Sequence, residues 1–259
     1  MPNYQRRRSS RRRSRRRGSL GPILRVFSLL LVAVAVVAAL TLFFKVEQIR
    51  VVGNARYTGE EIVAVAEVVQ GDNLILLDKF SIKQRLFREM PYISEVRFDR
   101  KLPDTLIIEV TEVRAVAAIQ GGGAQWLISP GGKILEGVTE SGAAKYLCIK
   151  GLEIKTPTVG NGIELMEEGN LDQKTLFLIL EQLESRGMLE QTDGIDAGDP
   201  EILVVEYDGR FRVELPYLSD YGFKLDCLQA AVASLEPNER GKILMTLKND
   251  NEARFIPEK

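Results

Sequence analysis

The stretch Val46–Ala66, VEQIRVVGNARYTGEEIVAVA, decides the fold of the domain that it begins. Its first part, Val46–Val52, alternates partly between apolar and polar residues and ends at Gly53, which predicts a strand closed by a turn. Thr58 and Glu61 have the spacing of a capping box, in which the threonine caps a helix and the glutamate bonds back to it. The helix that they open carries one apolar stripe: Ile62, Val65, Ala66 and Val69.

A second helix and two strands are predicted directly after this unit. Gly71–Asn73 interrupts the first helix, and Ser81–Gln84 has the pattern of a second capping box, with Pro91 ending the helix that it opens. Strands are predicted around 94–99 and 106–110, on either side of a turn at Leu102–Asp104. The order strand, helix, helix, strand, strand predicts a three-stranded sheet with both helices on one face, over residues 45–114.

Residues 115–257 are predicted to form a second domain, mostly antiparallel sheet with two helices, before a short tail at 258–259. Ser129–Gly132 and Asp208–Gly209 are hairpin turn signals. One helix is predicted from Asn170 to Arg186, with Gly187 after it, and Leu225, Leu228, Val232 and Leu235 stripe the other. The last two strands are predicted at Ile243–Leu247 and Ala253–Ile256. The fold class is therefore α+β.

Upstream of the first strand lies an uncharged run of 19 residues, Val26–Phe44. A helix of that length spans roughly the 30 Å hydrocarbon core of a bilayer. Residues 1–25 contain ten arginines and no acidic residue, and such a tail stays in the cytoplasm by the positive-inside rule. The pattern predicts a single-pass protein of the cytoplasmic membrane, with residues 45–259 on the extracytoplasmic side.

The N-terminus has two other interpretations. A cleaved signal peptide has a shorter apolar core followed by a small-x-small site, whereas here Ala33–Ala35 lies inside the run and Phe43–Phe44 closes it, so an anchor is favoured. The arginine-rich tail could bind nucleic acid. It holds only Tyr4 as an aromatic residue, and contact with anionic lipid is the simpler role. No nucleic-acid partner is predicted.

Composition narrows the chemistry of the exported part. Ten of the 35 basic residues lie in the tail. The rest of the chain therefore has 25 basic and 36 acidic residues, a net charge of about −11. The chain has no histidine, which excludes Ser-His-Asp and Cys-His catalysis and histidine zinc sites. Cys148 and Cys227 form no CxxC pair; one disulfide or two buried thiols both remain open.

The remaining candidates for chemistry have plainer interpretations. Gly121–Gly123 lacks the helix and the Lys-Ser/Thr pair of a phosphate loop and is predicted to be a turn. Asp193, Asp196 and Asp199 are spaced by three, which does not fit a calcium loop of the EF-hand type. The adjacent Glu167 and Glu168 are predicted to lie in a solvated loop. No catalytic, cofactor or metal site is predicted, and the protein is predicted not to be an enzyme.

The chain resembles the bacterial cell-division family FtsQ, called DivIB in Gram-positive bacteria. The resemblance rests on a short arginine-rich tail, one span, and then FKVEQIRVVGNARYTGEEI, GDNLILLD and RKLPDTLIIEVTE. It implies that 45–114 is a POTRA (polypeptide-transport-associated) domain and that 115–257 is the family's β domain. One departure is that Leu244 and Met245 stand where the family commonly places an aspartate, which puts the register of the final hairpin in doubt.

The resemblance also implies a function at the division septum. The family binds FtsL-type and FtsB/DivIC-type division proteins through its C-terminal strands and helps recruit or regulate the septal peptidoglycan synthase. On this chain the partner-binding residues would be Leu247, Lys248, Ala253, Arg254 and Phe255. For Phe255 and Leu247, a role in local core packing alone is as well supported as a role in partner binding.

Two alternatives stay open. One is a protein-translocation or envelope-assembly component, since POTRA units also occur there. The other is a membrane-anchored hydrolase, for which the exported part offers no Ser-x-x-Lys motif.

Overall fold

The structure, a computed structural model, describes residues 20–166, 171–245 and 253–258, with side chains omitted at 20–23 and 40–42. Its first helix, α1, covers Leu20–Phe43, and the Ser28 hydroxyl donates to the Arg25 carbonyl of the same helix at 2.9 Å. Within the part of the chain that is described, no helix meets the length and apolarity needed to cross a membrane. The span at Val26–Phe44 therefore stays a prediction, and the tail before residue 20 lies outside the described residues.

The first domain has the predicted order of elements. A three-stranded sheet runs in the order β1, β3, β2, with β1 parallel and β2 antiparallel to the central β3. The elements are β1 Gln48–Val52, α2 Gly59–Ala66, α3 Lys79–Glu89, β2 Ile93–Lys101 and β3 Thr105–Glu112.

The core of the first domain follows the apolar periodicity of its elements. Leu106, Ile108 and Val110 of β3 are buried and face the helices, as their alternation predicts. Ile62 of α2 and Leu86 of α3 cover them and are fully buried. The sheet is therefore apolar on the face that carries both helices.

Local capping signals place the start of α2 correctly and the start of α3 wrongly. Thr58 and Glu61 form the predicted capping box. The cap of α3 is Asp78, whose carboxylate accepts from the N–H groups of Phe80 and Ser81, so Ser81 lies inside the helix. Asp78 is the better cap because its carboxylate accepts hydrogen bonds from two N–H groups of the first helical turn that have no partner within the helix.

The apolar stripe of α2 is one residue shorter than predicted. Glu67 adopts a left-handed conformation, with φ of 53°, and ends the helix. This turn changes the direction of the next side chains, so Val68 is buried and Val69 is 61% exposed. Val69 therefore does not belong to the core.

The second domain is built on a nine-stranded sheet in the order β12, β11, β10, β9, β8, β7, β4, β5, β6. Five of its strand pairings are antiparallel and three are parallel among the described residues. The strands are β4 Ala117–Gly121, β5 Ala124–Ile128, β6 Ile134–Val138, β7 Leu147–Ile154, β8 Thr192–Asp196, β9 Ile202–Tyr207, β10 Phe211–Pro216, β11 Gly241–Leu244 and β12 Arg254–Pro257.

Two long helices cover one face of this sheet. They are α5, Gln173–Ser185, and α6, Tyr221–Ala233; a one-turn helix α4, Glu140–Ala143, and a 3-10 turn, Leu189–Gln191, were not predicted. Asp172 caps α5, two residues after the predicted start at Asn170, which lies outside the described residues. Gly187, with φ of 68°, follows α5 as predicted.

The predicted hairpin turns are present. Asp208 and Gly209 both have positive φ, 57° and 60°, and with Arg210 they form the three-residue connection between the paired residues Tyr207 of β9 and Phe211 of β10. The glycines of 121–123 form the turn between β4 and β5, and Ser129–Gly132 joins β5 to β6. Gly121–Gly123, which were considered as a phosphate loop, thus form a hairpin turn.

Candidate partner-binding edge

The last strand, β12, ends the large sheet on one side. It pairs with β11 in the register Ile243 to Phe255 and Leu244 to Arg254, which gives the final hairpin a definite register. β11 begins two residues before its predicted start and ends at Leu244, and β12 keeps its predicted length of four residues but lies one residue later, at Arg254–Pro257. Ala253, Arg254 and Phe255 come together at this edge, whereas Leu247 and Lys248 lie outside the described residues.

A parallel crossover positions the edge. The chain leaves β10, passes through α6 and returns as β11, parallel to β10. The N–H of Gly241 donates to the Arg210 carbonyl at 3.1 Å, and the N–H of Met245 donates to the Glu214 carbonyl at 2.9 Å. At the end of β11, the buried Lys224 of α6 donates to the Met245 carbonyl at 3.0 Å. The base on which β12 lies is therefore fixed at both ends.

The ladder determines which backbone groups of β12 point outward. The N–H of Glu258 donates to the Arg240 carbonyl at 2.9 Å. Antiparallel pairs alternate between bonded and non-bonded, so Ile256 and Arg254 bond to β11 and the N–H and C=O of Phe255 face away from it. Pro257, the next outward position, has no N–H to expose, as edge strands tolerate. The open row is therefore short, with Phe255 at its centre and Ala253 before it.

The Phe255 side chain packs inside the domain. It lies on the helix-covered face opposite the fully buried Ile243 and meets the ring of Phe211 edge to face, with 6.1 Å between centroids. It is half buried, so the structure supports a local packing role for the side chain. A partner strand at this edge would therefore contact Phe255 through its backbone N–H and C=O groups.

The opposite face of the same edge carries a group of side chains that sequence reasoning only partly found. The Glu214 carboxylate lies 2.7 Å from the Lys242 ammonium and 3.9 Å from the Arg212 guanidinium, and Arg254 lies on the same face, two strands away from Glu214. Ile256, 40% exposed, belongs to the same face. We call Arg212, Glu214, Lys242, Arg254 and Ile256 the edge face. Strand alternation was the signal that could have found Ile256.

The strand at the other edge of the sheet, β6, is covered at its start. The N–H of Ile134 in β6 donates to the Asn161 carbonyl at 2.8 Å, and the N–H of Gly160 donates to the Ile134 carbonyl at 2.8 Å. Lys133 forms a further bridge with Gly162. The segment 160–162 therefore uses backbone groups of β6 that a partner strand would need, and β12 is the more open edge.

The aspartates considered for metal binding serve turns. Asp199 accepts from the N–H groups of Glu201 and Ile202, Asp196 from that of Gly198, and Asp193 from that of Gly209. Over the described ranges, no group of three or more acidic or cysteine residues has a metal-binding arrangement. The Glu167–Glu168 pair lies outside those ranges. Cys148 on β7 and Cys227 on α6 are both free thiols.

Comparisons with known proteins agree with this architecture. The family model "POTRA domain, FtsQ-type" matches residues 44–128. The cell division protein FtsQ of Syntrophotalea carbinolica is 30% identical over 178 residues, covering 64% of this chain and 61% of that protein. The cell division protein DivIB of Clostridium acetobutylicum is 28% identical over 121 residues, covering 47% of this chain and 48% of that protein. The chain thus spans about three fifths of the first relative's length and about half of the second's.

A solved structure is also similar, the major extracytoplasmic domain of DivIB from Geobacillus stearothermophilus. It is 15% identical with a TM-score of 0.30, and the match covers 49% of this chain and 98% of that one. The relationship to known proteins rests on the sequence comparisons.

Proposed function

This chain belongs to the FtsQ/DivIB family of bacterial cell-division proteins, and we propose that it is a membrane-anchored, non-enzymatic scaffold of the division apparatus. It binds FtsL-type and FtsB/DivIC-type proteins outside the cytoplasmic membrane. Through them it helps recruit or regulate the septal peptidoglycan synthase. The observation that carries the proposal is that β12 is an edge strand with outward backbone groups, whereas β6, at the opposite edge, is covered at its start.

Partner capture at β12 would proceed by strand addition. A strand at the edge of a sheet presents unpaired N–H and C=O groups that a second chain can complete. The outward groups of Phe255 supply these bonds, and the cations of the edge face favour a partner strand with acidic side chains. Such recognition needs no nucleophile or proton-transfer group, which suits a chain without histidine.

The anchor is proposed from the apolar run Val26–Phe44 and from the surroundings of α1. The large apolar side chains between Leu24 and Val37 are 52–70% exposed. A helix that is apolar on all sides requires a non-aqueous environment, either a protein core or a bilayer. The arginines before it orient the span with residues 45–259 outside the cytoplasm.

The proposal that a partner strand adds to β12 is tested by removing a backbone N–H donor of β12 while the packed Phe255 side chain stays in place. Ala253→Pro removes an outward N–H and puts a ring at the edge, as Pro257 already does at the other end. Ala253→Ser is the matched control, because it keeps the N–H. We expect the full-length Ala253→Pro protein to lose binding to a purified FtsB/DivIC-type partner and the Ala253→Ser protein to retain it. Equal binding by both variants would refute strand addition at β12.

The role in division is tested separately by localisation. A fluorescent fusion of the full chain should concentrate at midcell in dividing cells and should keep doing so after Cys148→Ser, a change far from the edge. A uniform envelope signal would contradict the division role and favour the translocation or envelope-assembly alternative.

A further inference from the structure

The chain enters the first domain immediately after α1. The Phe44 carbonyl accepts a hydrogen bond from the N–H of Leu74 at 2.9 Å, and the N–H of Val46 donates to the Asp72 carbonyl at 2.8 Å. Lys45 forms an antiparallel bridge with Asn73. No flexible linker therefore separates the end of α1 from the loop at 71–78, because the two are bonded residue to residue.

A second loop meets the chain at the same point. The Asp104 carbonyl accepts from the N–H groups of Glu47 at 2.9 Å and Gln48 at 3.3 Å, which places the β2–β3 turn beside the exit from α1. The guanidinium of Arg100, at the end of β2, donates to the Ile75 carbonyl at 3.0 Å. Both loops are thus tied to one end of the domain, the end from which α1 emerges.

These loops expose large apolar side chains at that end. Leu76 and Phe80 are each 70% exposed, Leu102 is 59% exposed and Ile75 is 39% exposed. The Asn73 side chain accepts from the N–H groups of Ile75 and Leu76, which fixes the backbone of the turn that carries these two exposed residues. We call Ile75, Leu76, Phe80 and Leu102 the exit rim. Phe43, the last residue of α1, is 68% exposed beside it.

Three basic side chains lie next to the exit rim. Lys45, Arg100 and Lys101 are exposed there, although the chain beyond the tail carries an excess of acidic residues. Carboxylates lie at this end as well: Glu47 and Asp99 are exposed beside Lys45 and Arg100, and three others accept hydrogen bonds within the domain. Asp72 accepts from the N–H of Val69, Asp78 caps α3, and Asp104 accepts from the Thr105 hydroxyl. Exposed apolar side chains with lysine and arginine beside them are the combination that binds at an anionic membrane interface.

We propose that the exit rim is a membrane-docking surface, which rests on the bilayer that holds α1 and inserts Leu76, Phe80 and Leu102 among the lipid headgroups. This inference rests on the proposed span through α1. The bilayer is the occupant because Leu74, one residue before the rim, is hydrogen-bonded to Phe44 at the end of the apolar run, so the rim stays at the height of the membrane surface. Lys45, Arg100 and Lys101 add attraction to anionic headgroups. Docking holds the first domain at a fixed tilt.

The test places single tryptophan probes in the full chain, reconstituted into vesicles of phosphatidylcholine and phosphatidylglycerol. Vesicles whose acyl chains carry bromine quench a tryptophan only on contact with lipid. Leu76→Trp probes the rim, Val36→Trp probes α1, and Val52→Trp is an exposed control at the far end of β1. The native Trp126, half buried in the second domain, is common to all three.

We expect Leu76→Trp and Val36→Trp to lose fluorescence in brominated vesicles and Val52→Trp to remain unchanged. Quenching of Val36→Trp without quenching of Leu76→Trp would overturn the docking surface and leave the anchor intact. Absence of quenching at Val36→Trp would overturn the anchor and the docking surface with it. Adding Phe80→Glu and Leu102→Glu to Leu76→Trp should restore its emission, whereas the same changes should leave Val36→Trp quenched.

Discussion

The hydroxyl of Tyr92, in the first domain, donates a hydrogen bond to the carboxylate of Glu136, in the second. The guanidinium of Arg56 lies 3.7 Å above the Tyr92 ring and 3.6 Å from the same carboxylate. Burial, and then the bond to Glu136, raise the pKa of the Tyr92 hydroxyl. Nearby, the Lys133 ammonium of the second domain donates to the Ile93 carbonyl of the first at 2.7 Å. The two domains therefore meet through a bonded polar junction.

Removing the Tyr92 hydroxyl should loosen this junction. Tyr92→Phe leaves the Glu136 carboxylate with Arg56 alone and should cost about 1 kcal/mol of the coupling between the domains. Small-angle X-ray scattering of the full chain in detergent should show a wider range of domain arrangements. Tyr207→Phe, which removes a hydroxyl bond to Gln191 inside the second domain, is the control. Equal scattering from both variants would mean that Tyr92 does not hold the domains together.

Gly53 should tolerate a methyl group less well than Gly71, although both have positive φ. At Gly71 an added Cβ meets nothing within 4 Å. Alanine there should lower the free energy of unfolding only by the cost of its left-handed backbone conformation, roughly 1–2 kcal/mol. At Gly53 the Cβ would lie 2.1 Å from the Val110 carbonyl oxygen, so the β1–β3 pairing must also shift. Urea unfolding of the first domain should show the larger loss for Gly53→Ala. Equal losses would contradict the close approach of Gly53 to β3.

Acid should weaken α3 through its cap. Hydrogen bonds from the Ser81 hydroxyl and N–H hold the pKa of Asp78 below its usual value. A carboxylate with a lowered folded pKa contributes stability above its unfolded pKa of about 3.9, and that contribution disappears as the pH falls through the folded value. The urea midpoint of the first domain should therefore fall more steeply with acid in the wild type than in Asp78→Asn. Parallel pH profiles for the two proteins would exclude Asp78 as the titrating cap.

Much of the first domain could be predicted because its signals are local. Thr58 and Glu61 act over one turn of helix, and the alternation of Leu106, Ile108 and Val110 lies within one strand. The errors arose where two local signals competed, as at Asp78 and Ser81, or where a left-handed residue shifted the register, as at Glu67. The parallel pairing of β10 with β11 and the Tyr92–Glu136 bond join residues far apart in sequence, and no pattern within one segment encodes them.

For the candidate site, only the strand on which it lies can be compared with the structure, and its role in partner binding stays a prediction. Its position on the last strand followed from the resemblance, and the structure makes β12 the sheet edge. The roles of individual side chains did not follow, because the face to which Phe255 or Ile256 points depends on the hairpin register. That register depends on where β11 begins, which the crossover through α6 determines.

The two cysteines should be present as thiols. Cys148 lies on a strand in the middle of the large sheet and Cys227 on a helix that covers it, and both are free. Titration with a thiol reagent after unfolding without reductant should therefore count two thiols per chain. A count of zero that rises to two only after reduction would show a disulfide and require α6 to lie differently on the sheet.

Reversing a charge on the edge face should slow partner association more than it speeds dissociation. Arg254 is exposed at the start of β12, on the same face of the sheet as Arg212 and Lys242, and no ion pair is seen for it among the described residues. Exposed charges steer encounter and are screened over about 10 Å at 0.1 M salt. Arg254→Glu should therefore bind the FtsB/DivIC-type partner several-fold more slowly at low salt, with the difference shrinking as salt is added. Arg50→Glu makes the same change on β1, away from the edge, and should leave the association rate unaltered. If both variants slow association equally, the effect belongs to net charge, and the edge face has no special part in recognition.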